Sequence, residues 1–188
     1  MARVELNPVL EQIHGQIGDL VFRRYENKVV LSRKASLRNQ EATPAQLATR
    51  ERFRAGAQYG KQIMADPSLK ALYDTAAKAK KKPIFSMMVA DYLHAPNVSA
   101  VSLEAYTGAV GEIIAVSAYD DFEVMEVRVA VADEGGTVLE SGSAVMENGR
   151  WIYTSTTAVT PGTTVTVTAT ALDRPGNSGS AEATLLVS

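Results

Sequence analysis

The chain has 188 residues, of which 46% are hydrophobic and 21% charged, and it contains no cysteine, which excludes disulfides, thiolate metal sites and a thiol nucleophile. Its length allows one domain or two small ones. The net charge of −2 hides a division, because residues 1–97 carry 16 Lys or Arg and 9 Asp or Glu (net +7) and residues 98–188 carry 3 and 12 (net −9). We expect the two halves to be different modules.

The apolar residues of the N-terminal region alternate at short range, which predicts a β-hairpin. Its strands are expected at about 20–24 and 28–33. Between them lies a polar stretch in which Asn27 can adopt a positive φ.

Three helices are expected next, at about 44–64, 67–80 and 84–93. Thr43, Pro44 and Gln46 form a capping box with proline at the first helical position. Asp66 is expected to cap the second helix, and Pro83 to end it. The three helices are expected to form a small layer against the hairpin.

A domain boundary is predicted near Pro96, where the periodicity changes from 3.6 to 2 and the charge changes sign. Short alternating segments separated by turns then follow to the C-terminus, which is typical of a β-sandwich. Seven strands are expected, at 98–104, 111–118, 123–132, 137–143, 150–156, 163–171 and 180–187. The domains are therefore predicted as a basic hairpin-plus-helices module, 1–97, and an acidic all-β module, 98–188.

The second half resembles bacterial immunoglobulin-like (Ig-like) domains, which occur in tandem in surface proteins and as appendages of phage particles. The resemblance is carried by the Asn-Gly-Arg-Trp-Ile-Tyr strand (148–153), the Thr-Val strand (163–173) and the Arg-Pro-Gly-Asn turn (174–177). In that turn, proline replaces the usual alanine. The resemblance implies an α+β protein whose C-terminal half is an Ig-like seven-stranded sandwich.

The first half resembles a set of uncharacterised bacterial and phage-associated proteins in which a glycine-hairpin block precedes a "TPAQ" helix. The matching blocks are 15–24, 43–47, 50–53 and 66–77. This resemblance implies a phage-like or otherwise particle-forming context and no particular chemistry.

Basic residues cluster on and after the predicted hairpin, at Arg23, Arg24, Lys28, Arg33, Lys34 and Arg38. Such a β-ribbon can neutralise phosphates, and Tyr25 can stack on a base. Alternation, however, places successive residues on opposite faces, and a net charge of +7 over this half is modest. A protein-docking surface, a solvated surface and a nucleic-acid contact all remain open, the last being the least favoured.

Four residues with oxygen ligands fall in two loops of the second half: Asp120, Asp121, Asp173 and Asn177. In an Ig-type sandwich these loops emerge at the same end, where the four side chains form a candidate calcium site. The favoured alternative is that Asp and Asn occur there as good turn formers. No other cofactor is expected.

An enzyme is the least favoured class of protein. The only histidines, His14 and His94, have no local partner acid or further ligand, and no group of base, nucleophile and oxyanion donor can be assembled.

The favoured function is a non-enzymatic structural or assembly protein of a phage-like particle, tail-like machine or extracellular filament. Its oppositely charged modules would make protein contacts, with head-to-tail homo-oligomers expected. Two alternatives stay open: a nucleic-acid-associated particle protein that uses the basic hairpin, and an adhesin-like module that uses the Ig-like loop ends. Without a signal-peptide h-region or a membrane-spanning run, we expect a soluble protein made in the cytoplasm, whose final site is a virion or an extracellular particle.

Overall fold

The structure is a computed structural model that describes residues 2–4, 14–25, 28–34 and 41–188. The chain divides into two compact units, residues 1–43 and residues 44–188. The predicted boundary near residue 97 lies inside the second unit, because the helices group with the sandwich.

The first unit contains a four-stranded antiparallel sheet with strand order β1-β4-β3-β2. The predicted hairpin is formed by β3 (Leu20–Tyr25) and β4 (Lys28–Arg33), whose register runs from the pair Leu20 and Arg33 to the pair Tyr25 and Lys28. Two strands that the sequence pattern did not indicate, β1 (Ala2–Val4) and β2 (Gly15–Ile17), pair with its two edges.

The three predicted helices are confirmed to within one residue, as α1 (Pro44–Ala65), α2 (Pro67–Ala79) and α3 (Ile84–Leu93). Asp66 caps α2, since its Oδ1 accepts hydrogen bonds from the backbone N–H groups of Ser68 and Leu69 at 2.8 and 3.1 Å. The helices enclose a small core of Ile63, Tyr73, Ala77, Met87 and Met88. None of the helices in the described ranges has the length and apolar character needed to cross a lipid bilayer.

The remaining strands form two antiparallel four-stranded sheets that pack face to face around one core. The first sheet has the order β5-β6-β10-β9 and the second β12-β11-β7-β8. The strands are β5 (Asn97–Ser102), β6 (Ile113–Tyr119), β7 (Val124–Asp133), β8 (Val138–Ser143), β9 (Val145–Glu147), β10 (Arg150–Thr154), β11 (Thr164–Asp173) and β12 (Ser178–Leu186).

Lettered from A in chain order, with β8 as C′, these strands give the sheets A-B-E-D and G-F-C-C′, the strand order of an immunoglobulin sandwich. Seven of the eight strands match the predicted ones. The eighth, β9, has only three residues, all exposed, and therefore shows no alternation of burial. The α+β fold class is thus confirmed.

Alternation along β11 explains why the two sheets pack. Val165, Val167, Ala169 and Ala171 are fully buried, whereas the intervening threonines are half-buried on the outer face. Trp151 and Tyr153 of β10 close the core from the other sheet. Each sheet thus has one dry and one wet face.

Candidate functional site

The described basic residues of the hairpin lie on both faces of the sheet. Arg23 pairs with Val30 and Arg24 with Val29, and because neighbouring residues of a strand point to opposite faces, the two arginines are separated by the sheet. Arg33 lies opposite Leu20 and therefore shares the face of Arg24. Arg23, Arg24, Arg33 and Lys34 are exposed. The Lys28 side chain and the whole of Arg38 lie outside the described residues.

The two acidic loops of the predicted calcium site emerge at one end of the sandwich, as expected. The C-terminus of α3 covers this end, which we call the helix end. Asp91 of α3 lies close enough to Asp120 and to Asp173 for both charges to affect its ionisation. The structure therefore brings the two loops together, with a helix between them.

Asp173 and Asn177 are engaged within the protein. The Oδ1 of Asp173 accepts hydrogen bonds from the N–H groups of Gly176 and Asn177 at 2.8 and 2.6 Å, which closes the turn between β11 and β12. The side-chain amide of Asn177 donates to Asp173 Oδ2 at 2.7 Å and to the carbonyls of Tyr92 and His94 at 3.2 and 3.3 Å. Asn177 thus satisfies carbonyl groups at the end of α3 and fastens that helix to the sandwich.

Asp121 is engaged with basic residues that precede the sandwich. Its Oδ2 lies 2.5 Å from His94 Nδ1, and its backbone carbonyl accepts a hydrogen bond from the Lys80 ammonium. The hydrogen bond to His94 and the charges of His94, Lys82 and Lys80 hold the pKa of the Asp121 carboxyl below its ordinary value. Over the described residues, no three His, Asp or Glu side chains are arranged to hold a metal ion. The calcium site stays a prediction that these contacts do not favour.

A buried carboxyl group that the sequence analysis missed lies at the centre of the helix end. Asp91 is fully buried, and its Oδ2 accepts hydrogen bonds from the hydroxyls of Tyr73 at 2.5 Å and Tyr59 at 3.4 Å. The two hydroxyls lie 2.9 Å apart. One carboxyl group therefore joins α1, α2 and α3.

The second oxygen of Asp91 faces another acid. Neither Asp91 Oδ1 nor Asp120 Oδ1 receives an N–H or O–H donor from the described part of the chain, although both atoms are shielded from water. Burial, together with the negative charges of Asp120 and Asp173, raises the pKa of Asp91 to about 7, although the hydrogen bond from Tyr73 opposes the shift. A protonated Asp91 can donate a hydrogen bond towards Asp120, and protonation removes one of the negative charges that otherwise face each other there.

An open groove runs along the surface of the helix end. One part, of about 450 Å³, is lined by Met125, Met146 and Trp151 among others, and an adjoining part, of about 420 Å³, by Leu72 and Ala76 of α2 among others. Phe122 and Glu123 line both parts.

The two residues that line both parts of the groove are held by contacts with neighbouring side chains. The ring of Phe122 stacks on Tyr73 with 3.8 Å between centroids, and the Arg174 guanidinium bonds Glu123 at 2.8 Å. The stack joins α2 to the loop between β6 and β7, and the ion pair joins that loop to the turn between β11 and β12.

At the opposite end of the sandwich, which we call the far end, two carboxylates hold the loops. Glu112 accepts hydrogen bonds from the N–H groups of Thr107, Gly108 and Ala109 at 2.6 to 3.0 Å, and these bonds hold the pKa of its carboxyl below the ordinary value. Glu140 accepts from the N–H groups of Thr156 and Thr157 at 2.7 and 3.1 Å. The far-end loops are therefore held in fixed conformations.

The far end comprises residues 101–113, 131–140, 154–166 and 184–188, which contain no Lys or Arg. Large apolar side chains are exposed there from both sheets and from a loop: Val110, Ile113, Val138 and Leu186, with exposed fractions of 61, 42, 58 and 63%. Glu104 and Glu134 are exposed beside them. This end is acidic and partly apolar.

Comparison with known proteins assigns no family. No protein-family model matches the chain, and a search of curated proteins gives no match. Among solved structures, CopC from Methylosinus trichosporium OB3b is 12% identical over 47% of this chain and 89% of that one, with a TM-score of 0.35. A Br derivative of BhCBM56 is 16% identical over 42% of this chain and 80% of that one, with a TM-score of 0.33.

An engineered protein is 26% identical over 42% of this chain but only 16% of its own, with a TM-score of 0.34. The sandwich architecture is therefore assigned from the strand order of this chain. The resemblance of the first half to the "TPAQ" proteins stays a prediction.

Proposed function

We propose that this chain is a non-enzymatic structural or assembly protein, a repeating component of a phage-like particle, tail-like machine or filament. The observation that carries the proposal is a charge division inside one compact unit. Residues 44–97, which we call the helical layer, carry 9 Lys or Arg and 4 Asp or Glu, a net of +5, whereas residues 98–188 have a net of −9.

The contacts of the helix end support this proposal because they hold the positively charged helical layer in a fixed position relative to the negatively charged sandwich. Asn177 and Asp91 join α3 to the sandwich loops, and β12 begins so close to Pro96 that only glycine fits at position 179. A rigid unit with opposite charges on its two parts orients an approaching copy, since complementary potentials steer association. Contacts between unlike surfaces then repeat as a ring or a filament.

We further propose that the sandwich belongs with the bacterial Ig-like domains. The strand order supports this, together with the positions of the two motifs. The Asn148-Gly149 turn leads into β10, with Asn148 and Gly149 both at positive φ, and the turn at 173–177 joins β11 to β12. Such sandwiches serve as spacers, adhesion modules and assembly contacts, so the proposed role rests on the charges rather than on the fold.

The non-enzymatic part of the proposal is supported by what the polar groups do. The buried carboxyl groups of Asp91 and Asp173 bond groups of neighbouring elements or of their own turn, and Glu140 fastens a loop. These groups act as structural ties.

Light scattering on the full chain tests the proposal. At about 50 mM salt we expect a mass well above the 20.1 kDa of one chain, and at about 500 mM salt, where exposed charges are screened, a fall towards that mass. The double variant Lys81→Gln, Lys82→Gln should weaken assembly, whereas Lys81→Arg, Lys82→Arg should preserve it. A monomer at every concentration and salt would overturn the self-assembly proposal.

A further inference from the structure

The far end has the properties of a preformed docking surface. Val110 is 61% exposed in the loop that the Glu112 carboxylate holds through three N–H groups. Ser155 ties the same loop to its neighbour, since its Oγ donates to the carbonyl of Ala109 at 2.6 Å. An apolar side chain on a fixed loop loses little conformational entropy when a partner covers it.

The electrostatics of the far end exclude one class of partner and favour another. Glu104, Asp133 and Glu134 lie there without any Lys or Arg. An acidic partner would bring like charges together, which is unfavourable, whereas a basic, partly apolar surface would complement both the charge and the exposed apolar side chains.

The same molecule carries such a surface. All of residues 44–54, the N-terminal half of α1, are exposed, including Leu47 and Phe53 at 50 and 57%. Arg50 and Arg54 lie on this segment, and neither forms an ion pair with a described residue. A segment of eleven residues is about 16 Å long, enough to lie across the end of a sandwich.

We infer that the far end of one copy binds the N-terminal half of α1 of a second copy, with Val110 and Phe53 in the contact and Arg50 and Arg54 facing the acidic side chains. This inference rests on the proposed assembly function and names the surfaces that it uses. Because the two surfaces differ and lie on one chain, each bound copy leaves one surface free, and the contact repeats.

Two single variants and their controls test the inference. Val110→Arg places a cation on the far end, and Phe53→Glu places an acid on the basic helix, so each should weaken the contact by at least about tenfold. The matched controls are Val145→Arg and Leu72→Glu, because Val145 and Leu72 are exposed to similar extents, 62 and 51%, and lie outside the proposed contact. All four positions are on the surface, and circular dichroism checks that the fold is retained.

Each variant alone should be monomeric at a concentration where the parent chain and both controls assemble. Mixed in equal amounts, Val110→Arg and Phe53→Glu should form a complex of two chains and no larger species, since each retains the surface that the other lacks. Assembly of either variant like the parent, or no complex in the mixture, would overturn the inference and leave the proposed function standing. A parent chain that stays monomeric would overturn both.

Discussion

The two ends of the sandwich use carboxyl groups in opposite ways. At the far end, Glu112 is ionised and surrounded by N–H donors, which lowers its pKa. At the helix end, Asp91 is buried between two further acids, and the dominant effect of desolvation raises its pKa to about 7. The same functional group therefore fastens a loop as an anion at one end, whereas at the other it lies between a helix and two loops and is mostly neutral only below pH 7.

This difference follows from what each end must hold. The far end closes loops, and loops offer free backbone N–H groups that an anion satisfies. The helix end joins one set of elements to another, so the side chains at the junction lose water whether or not they find donors. We expect the free energy of unfolding to be more sensitive to mutations at the helix end than at the far end. We also expect the helix end to make stability change with pH near neutrality.

The largest effect is expected from Gly179→Ala at the helix end. A Cβ at this position would overlap the carbonyl oxygen of Pro96 and lie 3.1 Å from its carbonyl carbon, so the backbone must shift. We expect a loss of about 4 kcal/mol or more in the free energy of unfolding, measured by urea denaturation with the fluorescence of Trp151, the only tryptophan.

The matched control is Gly135→Ala at the far end, where the closest atom to the new Cβ would be a side-chain atom, Asp133 Oδ1 at 3.2 Å, rather than backbone. Its cost should stay below about 1 kcal/mol. Equal losses at the two positions would contradict the view that the helix end is the more tightly constrained.

The second effect is the pH dependence that Asp91 contributes. Its pKa in the folded state, about 7, lies above its ordinary value of 3.8, so its contribution to stability is full below pH 3.8, declines as the pH rises and is lost above pH 7. Asp91→Asn stays neutral while its amide can donate to Asp120 and its carbonyl can accept from Tyr73. We expect the variant to gain up to about 4 kcal/mol relative to the parent between pH 4 and pH 8.

Urea unfolding at a series of pH values measures this difference. Parallel stability profiles for the parent and Asp91→Asn would rule out a raised pKa of Asp91 in the folded state. Asp74→Asn, which removes the carboxylate of the exposed ion pair of Asp74 with Lys78, is the control. Near neutral pH its free energy of unfolding should change with pH as that of the parent does.

The third effect is a loss of stability in Asn177→Ala, which removes the hydrogen bonds that attach the end of α3 to the sandwich. The variant leaves the carbonyls of Tyr92 and His94 without the side-chain amide, which we expect to cost about 1 to 2 kcal/mol. Hydrogen exchange should accelerate at the end of α3 but not in β11. The neighbouring Ser178→Ala is the control, and equal exchange in both variants would show that Asn177 does not hold the helix.

The elements were predictable from the sequence because their signals are local. Asp66, Pro67 and Pro83 mark where α2 begins and ends, and the alternation in β11 shows which side chains are buried. The strands β1, β2 and β9 were missed because three residues are too few to show a period.

The candidate site was less predictable because it depends on tertiary contacts. The sequence indicated that Asp120 and Asp173 share one end, but not that α3 would lie between them and engage Asn177. One signal was present: Asp91 is the only charged residue in the mostly apolar segment 84–93. A lone acid in such a helix indicates a buried polar contact.

The smallest effect is expected from Glu112→Gln at the far end. The stability that Glu112 contributes changes with pH in the direction opposite to the contribution of Asp91. The pKa of Glu112 in the folded state lies below its ordinary value of 4.5, so the stability it contributes is present above pH 4.5 and is lost as the pH falls through the lowered pKa. The variant should be less stable than the parent at neutral pH, by less than Asn177→Ala, and the difference should vanish in acid. Thermal unfolding at a series of pH values from 7 to 3 measures this, and a difference between variant and parent that stays the same over that range would mean that the loop is held by the shape of the side chain rather than by its charge.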